Sequence, residues 1–193
     1  MIRKVLSGLV LVGAVLVSLS QAQAATEVMR LPASNTFANA FGTDPVTGIS
    51  SAVFVTRHKT DRGGPVDTLV YSTVLPDGTF VSGGGDLPRG AFHVDGHMAS
   101  VDVDIHDMVL DPNLQSGPVP ENGQIHVVWD KTGVERTSGS SQFNSGSIHV
   151  IFEGTSNTAQ SDVDISNLFG SNLTSEFGDV RTLNSAIIVI MKD

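Results

Sequence analysis

The amino-acid sequence predicts an all-β domain, an antiparallel β-sandwich of immunoglobulin-like or jelly-roll-like type with about nine strands. Three observations predict this class. Apolar and polar residues alternate along much of the chain, as they do in strands with one buried face. Turn residues separate these runs, and helical periodicity is scarce.

Strands are expected wherever a β-rich run lies between two turn signals. In chain order the runs cover residues 52–58, 68–75, 79–82, 92–94, 98–107, 124–131, 147–153, 159–166 and 186–192. Pro76-Asp77-Gly78 and Asp95-Gly96 predict tight turns, and Gly83-Gly84-Gly85 predicts a turn or a bulge. Several runs follow one another at the spacing typical of a sandwich.

The segments between the runs are expected to be loops, with two exceptions. Residues 167–178 predict one short helix, and residues 35–41 predict a helical turn. A polar loop is expected at 61–66, and the longest loop at 111–122, which contains three prolines. The Ser/Gly/Asn-rich segment between Gly133 and Gly146 predicts a flexible, exposed connection.

One ten-residue phrase occurs twice, as GQIHVVWDKT at 123–132 and GSIHVIFEGT at 146–155. In both copies the alternation turns one face toward the core and places a histidine, His126 or His149, on the other face. An acidic strand precedes the first copy and follows the second, whereas a tandem duplication would keep the order. The phrase is therefore interpreted as a recurring packing pattern rather than a duplicated site. The predicted core residues are Val103, Ile105, Val127, Trp129, Val150 and Phe152.

The first 24 residues are typical of a secretory signal peptide. Arg3 and Lys4 precede an apolar run at 5–19, and Ala22-Gln23-Ala24 supplies the small residues of a cleavage site. The apolar run is shorter than the roughly 20 residues that a membrane helix needs. We therefore expect cleavage after Ala24, a single domain over 25–193 without a membrane anchor, and a secreted or periplasmic location.

Composition narrows the classes of partner. The chain has 20 acidic and 11 basic residues, a net charge of −9, and no cysteine. Nucleic acids and anionic lipids are disfavoured as partners because both require a basic surface. Cations, neutral glycans and protein partners remain compatible with this charge. Without disulfides, packing and hydrogen bonds must stabilise the domain.

The stretch FHVDGHMASVDVDIHD is the densest group of candidate metal ligands. Imidazole nitrogens with carboxylates suit zinc, and carboxylates alone suit calcium. The candidate ligands are His93, His97, Asp102, Asp104 and His106. No established metal-site spacing is present, and a hairpin at Asp95-Gly96 would separate the first two histidines. A second acidic strand carries Asp162 and Asp164 and would complete a carboxylate patch if the two strands were neighbours.

A basic cluster is the other candidate contact site. It consists of Arg57, His58, Lys59 and Arg62, and it is expected near a hairpin tip, where binding residues are often found. No catalytic residue is predicted. The chain lacks cysteine and a Gly-x-Ser-x-Gly nucleophile motif, and its glycine run lacks the Lys-Ser/Thr of a phosphate loop.

Four short motifs lie between residues 71 and 132. They are the turn SGGGDLP at 82–88, the pair Ala91-Phe92, the strand start Val101-Asp102, and Trp129-x-Lys131-Thr132 before a Ser/Gly-rich segment. In these motifs the chain resembles a loose group of secreted bacterial all-β proteins of uncharacterised function. The resemblance implies an all-β fold and export, and it implies no catalytic residue.

These observations predict an exported, non-catalytic binding module of the cell envelope or extracellular space, with a glycan or protein partner. Two alternatives stay open. One is a metal-dependent or carboxylate-based hydrolase that uses the Asp/His strand faces. The other is a structural surface protein that associates with itself through an edge strand.

Overall fold

A computed structural model describes residues 27–60, 64–75 and 77–191, which form one open antiparallel sheet of ten strands. The strands are β1 Glu27–Thr43, β2 Ser50–Thr60, β3 Val66–Val74, β4 Phe80–Asp86, β5 Phe92–Val94, β6 Met98–Asp104, β7 Val109–Leu110, β8 Gln124–Ser145, β9 Ile148–Leu168 and β10 Ser171–Met191. A 3-10 turn, Ile105–Asp107, follows β6. The all-β prediction is confirmed, with ten strands in place of about nine. The predicted signal peptide, Arg62 and Pro76 lie outside the described residues.

The strand order is β5-β6-β8-β9-β10-β1-β2-β3-β4-β7, and every neighbouring pair is antiparallel. Hairpins join most neighbours, as is usual for antiparallel sheets. The first and last strands pair in the middle of the sheet, from Glu27 opposite Met191 to Thr43 opposite Thr174. The long central strands therefore hold the two halves of the sheet together.

One face of the sheet is buried over most of its strands, and we call this part the body. Its largest fully buried side chains include Trp129, Tyr71 and Phe92. Contacts join strands that are not neighbours, so the sheet curls over its own inner face. The Arg57 side chain of β2 donates a hydrogen bond to the Phe92 carbonyl of β5. The Tyr71 ring of β3 packs edge-on against Phe169, after β9, with 5.0 Å between ring centroids.

Four strands continue beyond the body as a protrusion that we call the arm. It consists of residues 27–37 of β1, 135–145 of β8, 148–158 of β9 and 181–191 of β10, in the sheet order β8-β9-β10-β1. Every described residue of β8 in the arm is exposed. The arm is long because β8 and β9 stay paired from Gly133 opposite Gln160 to Ser145 opposite Ile148.

The predicted flexible connection at 133–146 is wrong, because this segment is the second half of β8. Its Ser/Gly composition gives little intrinsic preference for a strand. The neighbouring strand β9 carries the apolar run 148–152, and pairing with β9 fixes the backbone of β8 over its full length. Tertiary pairing therefore overrides local composition here. The two runs predicted at 147–153 and 159–166 are parts of one strand, β9.

The helix predicted at 167–178 and the helical turn at 35–41 are also wrong. Residues 35–41 belong to β1, and 167–178 contain the turn between β9 and β10. Phe169 and Gly170 have φ of 53° and 86°, which is typical of a type I′ hairpin turn. The Asn167 side-chain oxygen accepts a 2.8 Å hydrogen bond from the Gly170 amide and fixes this turn.

The predicted core is confirmed in the body and fails in the arm. Val127, Trp129 and Ile105 are fully buried, and Val103 is 6% exposed. Val150 is only half-buried, and Phe152 is 46% exposed. The alternation of the second phrase is regular, but the arm has no covering layer over the face that carries Phe152 in the described structure.

The glycine run at 83–85 lies within β4 rather than in the predicted turn or bulge. The absence of side chains lets atoms of β3, β7 and the loop after β7 approach these glycines closely. A Cβ on Gly85 would collide with the Val109 carbonyl oxygen of β7 and would lie 2.8 Å from the Leu110 Cα. This close approach lets β7 and the loop after it cover the β4 edge.

We expect Gly85→Ala to lower the free energy of unfolding by about 1–3 kcal/mol, because backbone atoms cannot move aside as a side chain can. Gly139→Ala in β8 is the matched control, since a Cβ there meets nothing within 4 Å; it should change stability by less than about 0.5 kcal/mol. Urea unfolding of both variants measures the difference. Equal effects of the two substitutions would contradict the close-packing explanation.

Candidate functional site

The candidate metal ligands are distributed over β5, the hairpin after it, β6 and the 3-10 turn that follows β6. His93 lies on β5, and its Nε2 is 3.8 Å from Asp95 Oδ2 in the hairpin that leads to β6. On the neighbouring strands, Asp102 Oδ2 lies 3.5 Å from His126 Nδ1. The hairpin predicted at Asp95-Gly96 is present, closed by the Asp95 amide hydrogen bond to the Met98 carbonyl at 2.9 Å.

The carboxylates of this region already accept hydrogen bonds from the chain. Asp95 Oδ1 accepts from the amides of His97 and Met98, both at 2.7 Å. Asp104 accepts from the His106 amide at 2.9 Å and from the Gln124 side-chain amide at 2.8 Å. Among the described residues, no group of three or more His, Cys, Asp or Glu is arranged to hold a metal ion. The zinc or calcium site therefore stays a prediction.

The two acidic strands are not neighbours, because β8 lies between β6 and β9. Asp102 is opposite His126 of β8, and Asp164 of β9 is opposite Val128. A different carboxylate pair results, since Asp130 of β8 lies directly opposite Asp162 of β9. The outer face of the body is therefore acidic across three strands, with one directly opposed pair of like charges.

The residues of the basic cluster have different surroundings. Arg57 makes a two-pronged ion pair with Asp67, with nitrogen–oxygen distances of 2.7 and 2.8 Å, and its guanidinium lies 5.2 Å from the Phe92 ring centre. The hydrogen bond to Asp67 raises the pKa of Arg57. His58 and Lys59 are exposed, and the His58 ring contacts the Asn35 side chain. Arg57 therefore connects β2, β3 and β5.

The arm provides a feature that sequence reasoning missed, an open strand edge on β8. Pairing between β6 and β8 ends at Met98 opposite Asp130, whereas β8 continues to Ser145. Over 133–145 the backbone is paired with β9 on one side only in the described structure. A strand edge of this kind presents unpaired N–H and C=O groups in a row.

The other described edges of the sheet are short, covered or chemically protected. The terminal strands β5 and β7 have 3 and 2 residues. The β4 edge is covered by a loop through mutual amide–carbonyl hydrogen bonds of 2.9 Å between Ser82 and Ser116. The open part of β1, residues 27–32, contains Arg30 and Pro32. Residues 133–145 contain neither proline nor lysine, and their two charged residues, Glu135 and Arg136, leave 137–145 without an edge-protecting side chain.

The arm also exposes apolar side chains. The exposed fractions are 61% for Val28, 60% for Phe143 and 46% for Phe152. One of its two inner strands, β10, carries the unbroken apolar run 186–191, AIIVIM, a pattern more typical of strands buried on both faces. This continuous run, beside the apolar run of β9, was the sequence signal that could have revealed an extended sheet.

No family model matches this chain, and neither the curated proteins nor the solved structures contain a significant match. Within the described residues, the structure contains no helix long and apolar enough to cross a membrane.

The opposed pair Asp130 and Asp162 gives a testable consequence. Like charges directly opposite each other destabilise a sheet, so Asp130→Asn should stabilise the protein by about 0.2–1 kcal/mol and raise Tm by about 1–4 °C. Asp164→Asn is the control, because Val128 lies opposite Asp164. Thermal melting at low ionic strength measures both. A lower Tm for Asp130→Asn would indicate that this carboxylate is stabilising.

The Asp95 turn predicts a pH dependence. Hydrogen bonds from the amides of His97 and Met98 lower the pKa of Asp95 below its ordinary value of 3.8. A carboxyl with a lowered pKa stabilises the fold fully above its unfolded-state pKa and loses this contribution as pH falls through the folded-state value. Asp95→Asn should therefore be less stable than the parent chain at pH 7, and the difference should shrink below about pH 4. Unfolding curves across this range test it, and a difference independent of pH would contradict it.

Proposed function

We propose that this protein is an exported, non-catalytic binding module that binds an extended polypeptide strand at the open edge of β8. The observation that carries this proposal is the length of β8, which continues through 133–145 beyond the end of its partner β6. Backbone groups along an open edge recognise another strand by main-chain hydrogen bonds, the mode called β-strand addition. This chemistry favours a protein partner over a glycan.

The geometry of the edge supports this proposal. At about 3.4 Å per residue, the 13 residues of 133–145 provide roughly 44 Å of edge. The neighbouring strands β9 and β10 hold this edge in a fixed sheet, so a bound strand orders little of the module itself. Binding to a preformed edge avoids part of the entropic cost of association.

The body serves as the scaffold in this proposal. Its curled sheet brings β5 against β2 and Trp129 of β8 against Asn39 of β1, contacts that support a two-layer, sandwich-like arrangement. Export follows from the predicted signal peptide, and a secreted or periplasmic location is part of the same proposal. The acidic outer face has the role of keeping the body soluble and separate from anionic surfaces.

Selection of roughly ten-residue peptides displayed on phage against the full mature chain tests strand addition. We expect the selected peptides to be extended, with alternating apolar and polar residues, and to slow hydrogen exchange of amides within 133–145. Peptides that leave these amides unprotected would contradict the proposal.

A pair of adjacent proline substitutions provides the matched control. Successive N–H groups of a strand point to opposite sides, so one of Gly139→Pro and Ser140→Pro removes an N–H of the open edge and the other removes one bonded to β9. The variant that loses an N–H of the open edge should bind peptides about tenfold or more weakly, with little loss of stability. The variant that loses an N–H bonded to β9 should have a lower Tm. Unchanged peptide affinity in both variants would overturn the site.

A further inference from the structure

We propose that the strand bound at the β8 edge is the same edge of a second copy of this chain, in an antiparallel pairing about a two-fold axis. This inference rests on the proposed function and names its partner. An isologous interface of this kind uses one surface patch twice, so each copy satisfies the open edge of the other.

The charge of the arm favours a second copy. The arm carries three acidic residues, Glu27, Glu135 and Glu153, and three basic residues, Arg30, Arg136 and Arg181. The net charge of −9 therefore belongs to the rest of the chain. Two arms can approach without net repulsion, whereas two bodies repel each other.

Antiparallel pairing also keeps the two acidic bodies apart. The arms overlap with opposite directions, so the bodies lie at opposite ends of the paired strands. The 11 arm residues of β8 span roughly 37 Å at about 3.4 Å per residue. This separation is several times the Debye length of about 8 Å at physiological ionic strength.

The distribution of side chains along the edge is compatible with self-pairing. Its charged residues, Glu135 and Arg136, lie at the base, and residues 137–145 are uncharged. A two-fold axis near the middle of the edge places this pair opposite the uncharged half of the second copy. Like charges directly opposite each other would destabilise the ladder, and this arrangement avoids them. The exposed ring of Phe143 then lies beside the base of the other arm.

Because the chain contains no cysteine, a single introduced cysteine can report which residue lies on the two-fold axis of the dimer. In a symmetric antiparallel ladder, one residue lies opposite its own copy, with Cα atoms about 4.5–5.5 Å apart, a separation that a disulfide can bridge. A residue one position along lies more than about 7 Å from its copy, which a disulfide cannot bridge without backbone movement. Crosslinking should therefore peak at a single position.

The test is a scan of single substitutions to cysteine in the full mature chain, from Arg136→Cys to Gln142→Cys, under mild oxidation. We expect a dimer mass by size exclusion with light scattering, and a disulfide-linked fraction at the peak position at least about tenfold above that of its neighbours. Asn184→Cys is the control, because Asn184 is exposed on β10, inside the arm sheet rather than at its edge. Its crosslinked fraction should stay at the level of random collisions.

Three outcomes would overturn the inference: a monomer at all concentrations, equal crosslinking at every position including Asn184→Cys, or oligomers with no peak on β8. The first, together with displayed peptides that still protect 133–145, would reject the second copy and retain strand addition. The first without such peptides would reject both proposals.

Discussion

The position of Trp129 is the constraint on which the shape of this protein depends. Its ring nitrogen donates a 2.6 Å hydrogen bond to the Asn39 carbonyl, although two strands, β9 and β10, separate β8 from β1 in the sheet. The indole reaches across because Gly178 of β10 has no side chain; a Cβ there would collide with Val163 and lie 3.4 Å from the indole. The sheet must curl around this fully buried ring, and the inner faces of the body meet as a consequence.

The same curvature divides the molecule into two regions, the body and the arm, which are stabilised by different interactions. In the body, inward side chains meet other inward side chains, and burial of apolar surface stabilises the strands. In the arm, the described sheet has no second layer, so its strands are held by ladder hydrogen bonds and by half-buried neighbours on the sheet. A region of this kind stabilises the fold weakly by itself and is available for association.

The net charge also differs between the body and the arm, and this difference supports the proposed function. Carboxylates of Asp102, Asp130 and Asp162 lie on the outer face of the body, where they hinder close approach of a second body. The arm is neutral, carries an unprotected edge, and leaves side chains such as Phe143 in water. Association through the arm is thereby favoured over association through the body, and no catalytic group is required for it.

Local patterning of the sequence determined the all-β class, the strands β2, β3, β5 and β6, the Asp95-Gly96 hairpin and the inward positions of Val127 and Trp129. Each depends on alternation or turn chemistry within a few residues. The tertiary structure alone decided that 133–145 is a strand, that 167–178 is a hairpin, and that Phe152 is exposed although its pattern matches that of Trp129. These features depend on which strand lies alongside and whether a second layer covers the face, and both are set by contacts between residues distant in the chain. The open edge of β8 has the same origin, because an edge exists only where a neighbouring strand ends.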